Sequence, residues 1–135
     1  MAFLSGLDIS ASGLTAERLR MDLIANNLAN ALSTRTPHGG PYRRQMPVFA
    51  ARQPVGQVGA GVEVVAIVED PSPPRLVFDP DHPDARPDGY VEYPNVDVVT
   101  EMVDMLAASR AYQANLAAFA TSRDMAQSAL ELLRV

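Results

Sequence analysis

The C-terminal segment from Asn95 to Val135 constrains the fold most strongly, because it contains neither Gly nor Pro and is rich in good helix formers. Apolar residues recur there in alternating steps of four and three, the heptad pattern of a helix that packs on other helices. At about 1.5 Å per residue the helix would be about 57 Å long. A domain of this size cannot cover such a rod, so the segment predicts association with other chains. The face defined by this pattern comprises Val98, Met102, Met105, Ser109, Tyr112, Leu116, Phe119, Arg123, Ala126, Leu130 and Leu133.

Apolar residues also occupy other sides of this predicted helix. A two-helix hairpin buries one face, so the remaining apolar surface predicts further neighbours. The alternative is a compact hairpin in which the middle of the chain folds back over the helix. These additional residues are Val99, Val103, Leu106, Ala107, Ala111, Ala114, Ala118, Met125, Ala129 and Leu132.

A second helix is predicted from about Ser5 to Leu32, again with apolar residues in steps of three and four. Ser5 and Asp8 have the spacing of a capping box. Asn26, Asn27 and Asn30 lie close together near the predicted C-terminus. They are either a solvated, fraying end or amides that fix the register against neighbouring helices, as a single buried Asn does in coiled coils.

The residues between the helices are predicted to form a small β insert. Four short strands are predicted, at 42–50, 62–68, 75–78 and 90–93, with Pro47 restricting the first to an edge position. Residues 51–61, which include Pro54 and Gly56, are predicted as a loop or hairpin turn. The fold class is therefore α+β, with long N- and C-terminal α-helices forming an antiparallel, coiled-coil-like pair around a loop-rich β insert. The predicted domains are residues 1–34, 35–94 and 95–135, the two helices being the assembly core.

Composition and motifs narrow the functional classes. The net charge of −5 argues against nucleic acid as a partner, the absence of Cys excludes a disulfide framework, and the sequence has no apolar run long enough to span a membrane. The N-terminus lacks the features of a cleavable signal peptide. Arg43 and Arg44 beside Tyr42 have two interpretations: they contact phosphate, or they form a solvated turn or an ion pair across an interface.

The acidic loop from Asp79 to Gly89 is the strongest alternative site. Asp79, Asp81 and Asp84 are closely spaced, but the loop departs from the calcium-binding template. His38 and His82 have no second ligand at zinc spacing, and the sequence has no nucleophile elbow. We therefore expect no metal, no cofactor and no catalytic residues.

Three segments resemble the flagellar rod and hook axial-protein family. The N-terminal SGLTAERLRMDLIANNLANA (12–31) is similar to the general signature of that family. GGPYRRQMPVF (39–49), the run DPDHPDARPDGYVEYPNVDVVTEMVDMLAASRAYQANL (79–116) and MAQSALELL (125–133) resemble its short basal-body rod members in particular. The positions that match are Asn26, Asn27, Asn30, His82, Pro83, Gly89, Tyr90, Pro94, Asn95, Glu101, Met102, Arg110, Tyr112 and Asn115.

The resemblance implies a structural subunit of the proximal rod, placed in the periplasmic part of the flagellar basal body and exported without cleavage by the flagellar type III apparatus. It implies terminal helices packed in the inner layer of a hollow, torque-transmitting tube, with the β insert outside. The implied partners are other copies of the chain, the rod proteins FlgB, FlgF and FlgG, and the adaptor FliE. The alternative function is a coiled-coil adaptor or export partner that forms a small closed oligomer. An enzyme that uses the acidic loop is the second alternative.

The predicted site is an assembly interface on the two helices. Its members are the larger apolar residues of the heptad faces together with the grouped amides. They are Leu7, Leu14, Met21, Asn26, Asn27, Leu28, Asn30, Met102, Met105, Leu106, Tyr112, Asn115, Leu116, Phe119, Leu130 and Leu133.

Overall fold

The computed structural model describes residues 2–52 and 59–133, with side chains from residue 5 onward. Two long helices enclose a small insert of two antiparallel sheets, which confirms the predicted α+β class. Neither helix is long and apolar enough to cross a membrane, within the residues that are described. The elements are α1 (Ala2–Ala29), β1 (Gln45–Ala51), β2 (Val62–Glu69), β3 (Arg75–Phe78), β4 (Tyr90–Tyr93) and α2 (Val98–Leu132).

The ends of the helices differ from the prediction by a few residues. α1 begins before Ser5, so the predicted Ser5–Asp8 capping box is wrong. It ends at Ala29 rather than Leu32, where poor helix formers are grouped and a tighter turn follows, with the Ser33 amide donating to the Asn30 carbonyl. Residues 134 and 135, predicted to continue α2, lie outside the described part of the chain.

Asp97 is the N-cap of α2, and its carboxylate accepts hydrogen bonds from the Val99 amide at 3.0 Å and the Thr100 hydroxyl at 2.8 Å. Asn95 lies outside the helix, and its amide group donates to two loop carbonyls, those of Asp70 and Ser72. The helix therefore begins at Val98, the first residue of the predicted heptad face, and not at Asn95, the first residue of the predicted segment.

α1 and α2 pack antiparallel, as predicted, and their contacts recur at heptad intervals. The pairs that face each other are Gly6 with Ser122, Gly13 with Asn115, and Asn27 with Glu101. Successive members are seven or fourteen residues apart on both helices, which is the spacing of a coiled-coil seam. A Cβ added at Gly13 would lie 2.7 Å from the Asn115 Oδ1. Gly13 therefore allows the two helices to approach closely at this point.

The insert consists of two separate hairpins. β1 pairs with β2 from Gln45 opposite Glu69 to Ala51 opposite Val62, with a bulge where the register shifts after Val48. Pro47 is tolerated because β1 has an open edge, as predicted. β3 pairs with β4, and Phe78 contacts Tyr90 edge-to-face at 5.2 Å between ring centroids. Pro54 and Gly56, on which the turn prediction partly depended, lie outside the described residues.

The β1–β2 hairpin packs along α1 and is attached to it at both ends. At one end the Val62 amide donates to the Ser12 hydroxyl at 3.0 Å, beside Gly61, where a side chain would collide with Ser12. At the other end Asn27 pairs with the backbone of Gln45. Among the described residues neither strand packs on α2. As a result, the hairpin covers α1 but leaves α2 with α1 as its main neighbour.

Candidate assembly surface

The side of α2 that faces α1 is lined by small and polar residues. Glu101 and Ala108 are fully buried, and they are the only buried residues in the described part of α2. Asn115 and Ser122 continue this line at intervals of seven. Each lies one residue before Met102, Ser109, Leu116 or Arg123, so this half of the predicted heptad face is turned by about 100° away from α1. The other half, which includes Met105, Tyr112 and Phe119, lies four residues after the buried line and is partly covered. The intramolecular contact is therefore centred on small and polar residues beside the predicted face, because large apolar residues would have kept the helices further apart.

Asn27 is the polar centre of the junction between α1, α2 and the hairpin. It is almost completely buried, and its amide group donates to the Gln45 carbonyl at 2.9 Å and to Glu101 Oε2 at 3.1 Å. Its Oδ1 accepts from the Gln45 amide at 2.9 Å and from the Tyr42 hydroxyl at 2.8 Å. Asn27 thus pairs with Gln45 as a strand backbone would, and every hydrogen-bonding group of its side chain has a partner. Burial raises the pKa of the Tyr42 hydroxyl, which keeps it protonated as a donor.

Arg44 provides the charge that permits Glu101 to be buried. Its guanidinium hydrogen-bonds to Glu101 Oε1 and, at 3.1 Å, to Asp104 Oδ2. It also lies 3.8 Å from the Asp70 carboxylate. A buried carboxylate is stable only when paired and hydrogen-bonded, and here Arg44 and Asn27 satisfy both oxygens. Arg44 is therefore ion-paired, but within the subunit rather than across an interface.

The opposite side of α2 is exposed and apolar over its first three turns. Val99, Met102, Val103 and Leu106 are between 57% and 69% exposed, and we call these four residues the α2 apolar stripe. Val99 and Val103 lie about 200° around the helix from the buried Glu101. Single exposed apolar residues are common, but four contiguous ones mark an interaction surface.

The C-terminal end of α2 is also exposed. Leu130, Leu132 and Leu133 project from its last turns, and Leu116 and Met125 are half exposed further along the helix. Together with the stripe, they leave large apolar side chains uncovered at both ends of α2.

The structure divides the predicted interface residues into three groups. Asn27 is buried inside the subunit, in agreement with the interpretation that amides fix the register between helices. Six are exposed and nine are partly covered, with Asn115 held against Gly13. The exposed residues are Asn26, Met102, Leu106, Leu116, Leu130 and Leu133; the partly covered ones are Leu7, Leu14, Met21, Leu28, Asn30, Met105, Tyr112, Asn115 and Phe119.

The partners of Arg44 and Ser12 could not be identified from the sequence. Arg44 lies 57 residues before Glu101 and Ser12 lies 50 residues before Val62, so no periodicity connects the partners. An ion pair was one interpretation of Arg44, but the sequence carried no signal that its partner is Glu101 in the same chain, and it carried none for Ser12.

The acidic loop is organised by contacts within the chain. The Thr34 hydroxyl donates to Asp84 at 2.8 Å and Arg35 pairs with the same carboxylate, so these two residues hold the pKa of Asp84 below its usual range. His82 Nδ1 accepts the Asp84 amide at 3.0 Å, and its ring packs against Tyr93. In the portion of the chain that is described, no group of three or more His, Cys, Asp or Glu side chains is arranged to hold a metal ion.

Known proteins resemble this chain over nearly its whole length. Residues 7–34 match the family described as flagella basal body rod protein, and residues 88–132 match the one described as flagellar basal body rod FlgEFG protein C-terminal. The chain is 46% identical to the flagellar basal-body rod protein FlgC of Borreliella burgdorferi, over 99% of both chains. It is 44% identical to FlgC of Salmonella typhimurium over 98% of both, and 40% identical to FlgC of Bacillus subtilis over 98% of this chain and 99% of that one.

The two family matches lie on α1 and on the segment from β4 through α2, the same elements that form the helix pair and carry the exposed apolar surface. With full-length identities of 40% to 46%, the chain belongs to the FlgC family of flagellar basal-body rod proteins.

Proposed function

We propose that this structural subunit of the flagellar basal-body rod assembles through the uncovered apolar side of α2. One observation carries the proposal: α2 packs on α1 by a line of small and polar residues, while the α2 apolar stripe faces outward. Burial of this stripe by a neighbouring subunit would contribute about 25 cal/mol for each Å² of apolar surface removed from water. The function is mechanical, because torque is transmitted through many packed side chains.

The neighbours we propose are further copies of the chain, the rod proteins FlgB, FlgF and FlgG, and the adaptor FliE. The resemblance to rod proteins supports this set, and the unequal faces of the helix pair support heterologous contacts. Contacts between two different surfaces generate open helical assemblies rather than closed pairs. We further propose a periplasmic position in the rod, after export by the flagellar type III apparatus without cleavage. We propose no catalytic activity, because the relatives are rod proteins.

Leu106→Glu tests the use of the stripe. Leu106 is exposed, so the monomer should fold normally, whereas a charge in a packed interface should lower incorporation into basal bodies at least about tenfold. The measurement is the amount of subunit in basal bodies isolated from a strain that lacks the wild-type gene, together with swimming in soft agar. Gln113→Glu is the matched control for the added negative charge. Gln113 is exposed on the same side of α2 but is not part of the stripe, and its replacement introduces the same charge as Leu106→Glu.

Normal motility and incorporation of Leu106→Glu would contradict the proposal. Electron microscopy and sedimentation of the purified protein, alone and with a second rod protein, separate a helical tube from a small closed oligomer. A closed oligomer as the only assembled species would favour the adaptor function instead.

A further inference from the structure

A cleft of about 390 Å³ lies where α1, α2 and the start of β2 meet. Its apolar lining includes Ile9 and Phe49, each 39% exposed, and Val62. Glu17 is the one acidic residue in the lining, within the described residues. The cleft therefore combines an apolar surface with a carboxylate at one place.

One carboxylate oxygen of Glu17 lacks a hydrogen bond, although the side chain as a whole is partly exposed. This oxygen, Oε2, is inaccessible to solvent and accepts no hydrogen bond from the described residues. Its ion-pair partner is Arg20, whose Nη1 lies 3.7 Å away, beyond hydrogen-bonding distance. Glu17 is therefore a weakly paired carboxylate at the cleft, and a cationic neighbour would supply the charge-assisted hydrogen bond that the monomer does not. Rotation of the carboxyl group about its terminal torsion, which is broad, can turn either oxygen toward the cleft.

Arg110 has the complementary property on α2. It is exposed, and its guanidinium has no partner within the described residues. It follows Leu106 by four residues and Val103 by seven, so it extends the α2 apolar stripe along the same side of the helix. Arg18, Arg43 and Arg52 are also exposed and have no side-chain partner among residues 2–52 and 59–133, but none lies on α2 beside the stripe.

We infer that the α2 apolar stripe of one copy docks on the cleft of a second copy, where Arg110 donates to the Glu17 carboxylate. Apolar residues of the stripe cover Ile9 and Phe49, and the ion pair closes one end of the contact. The lengths match, since Ile9 to Glu17 spans about 12 Å of α1 and Val103 to Arg110 about 10.5 Å of α2. Each copy keeps one free stripe and one free cleft, so the contact propagates rather than closes. This inference rests on the proposed function and names its partner surface.

Glu17→Gln provides the most direct test, because its two effects have opposite signs. In the monomer it removes a poorly solvated charge, so the urea midpoint should stay the same or rise. In the rod it removes a charge-assisted hydrogen bond, so incorporation into basal bodies should fall about tenfold or more. Arg110→Gln should lower incorporation equally and leave the urea midpoint unchanged.

Two controls separate the contact from local effects. Arg20→Gln should incorporate normally; a loss as large as that of Glu17→Gln would show that Glu17 serves Arg20 within the chain and would overturn the inference. Arg123→Gln, an exposed arginine of α2 remote from the stripe, should also incorporate normally. If assembly needs positive charge on α2 in general, Arg123→Gln would also incorporate poorly. That result would overturn the assignment of the contact to Arg110.

The identity of the partner copy is tested by exchange and by crosslinking. Glu17→Arg combined with Arg110→Glu in one chain should restore incorporation that each reversal alone abolishes. Because the chain has no Cys, Glu17→Cys and Arg110→Cys subunits expressed together should join through a short bifunctional maleimide in isolated basal bodies. Absence of a crosslink, with Arg110→Gln still defective, would assign Arg110 to another partner and overturn the inference.

If Glu17→Gln incorporates normally while Leu106→Glu does not, this inference fails and the proposed function stands; if Leu106→Glu also incorporates normally, both fail.

Discussion

The two helices are paired along their length, yet they differ in how much of their surface the subunit covers. α1 lies between α2 and the β1–β2 hairpin, and it buries Ala16, Leu23 and Ile24. α2 is the longer helix and packs mainly on α1, and in its described part only Glu101 and Ala108 are buried. The more apolar appearance of α2 in the sequence therefore does not correspond to greater burial. Large apolar residues on α2 face outward, where they are available to neighbouring subunits.

This difference assigns separate tasks to the two helices. α1 organises the subunit, since Ser12 accepts a hydrogen bond from Val62 of the hairpin, and Asn27 donates both to Gln45 at the start of the hairpin and to Glu101 of α2. α2 depends on a narrow contact, strengthened at one end by Arg44 and Glu101. Substitutions at the buried residues of α1 should therefore affect folding, whereas those on the outer side of α2 should affect assembly.

The largest effect on the free energy of unfolding is expected at the ion pair that joins the insert to α2. Arg44→Ala would leave the fully buried Glu101 carboxylate without its cation, which typically costs about 3–5 kcal/mol. Urea denaturation followed by circular dichroism measures the change. Arg43→Ala is the matched control, because Arg43 is exposed and should change the free energy of unfolding by about 0.5 kcal/mol or less. Equal stability of the two variants would mean that α2 does not need this ion pair.

A pair of identical truncations compares the two helices directly. Leu23→Ala on α1 removes a side chain that is 8% exposed and should lower the free energy of unfolding by about 2–5 kcal/mol. Leu106→Ala on α2, where the leucine is 61% exposed, should change it by about 0.5 kcal/mol or less in the monomer. The same urea experiment on both purified variants gives the difference. A large loss from Leu106→Ala would show that the stripe is covered within the monomer and would remove the contrast.

The smallest effect on stability is expected at the N-terminus of α2, where the Asp97 side chain caps the first turn. The Thr100 hydroxyl and the Val99 amide hold the pKa of Asp97 below its usual range. Because the folded-state pKa is lower than the unfolded one, this stabilisation is complete above the unfolded pKa, about 4, and is lost as the pH falls through the folded value. The protection of amides in the first turn of α2, measured relative to the intrinsic exchange rate at each pH, should fall below about pH 4, and more than in the middle of α1. Asp97→Ala should show fast exchange there at neutral pH, with little further change on acidification.

Local features of the sequence predicted most of the elements. The absence of Gly and Pro predicted α2, and β-branched residues predicted β2. Pro47 restricted β1 to an edge position. These predictions succeeded because each element depends on the conformational preferences of residues close together in the chain. The helix ends were predicted less well. Ser5 has a capping sequence but lies inside α1, and Asn95 would fit a cap but binds loop carbonyls instead.

The candidate surface was only partly predictable. Met102, Leu106 and the terminal leucines were identified by their period, since amphipathic spacing reports which residues share a face. The period does not state which face meets α1. Glu101 and Ala108 were absent from the predicted interface and the heptad face, because each lies one residue outside the period that the large apolar residues define.

Propensity and periodicity were sufficient to predict two long helices, a β insert between them and more apolar helix surface than one subunit can bury, because both are local properties. The side of α2 that is turned inward could not be predicted in this way, since it is set by packing. That choice depends on Gly13 against Asn115, on Asn27 between Gln45 and Glu101, and on Arg44 beside the same carboxylate. These contacts join residues far apart in the chain, and their energies depend on burial and distance, which arise only when the elements pack.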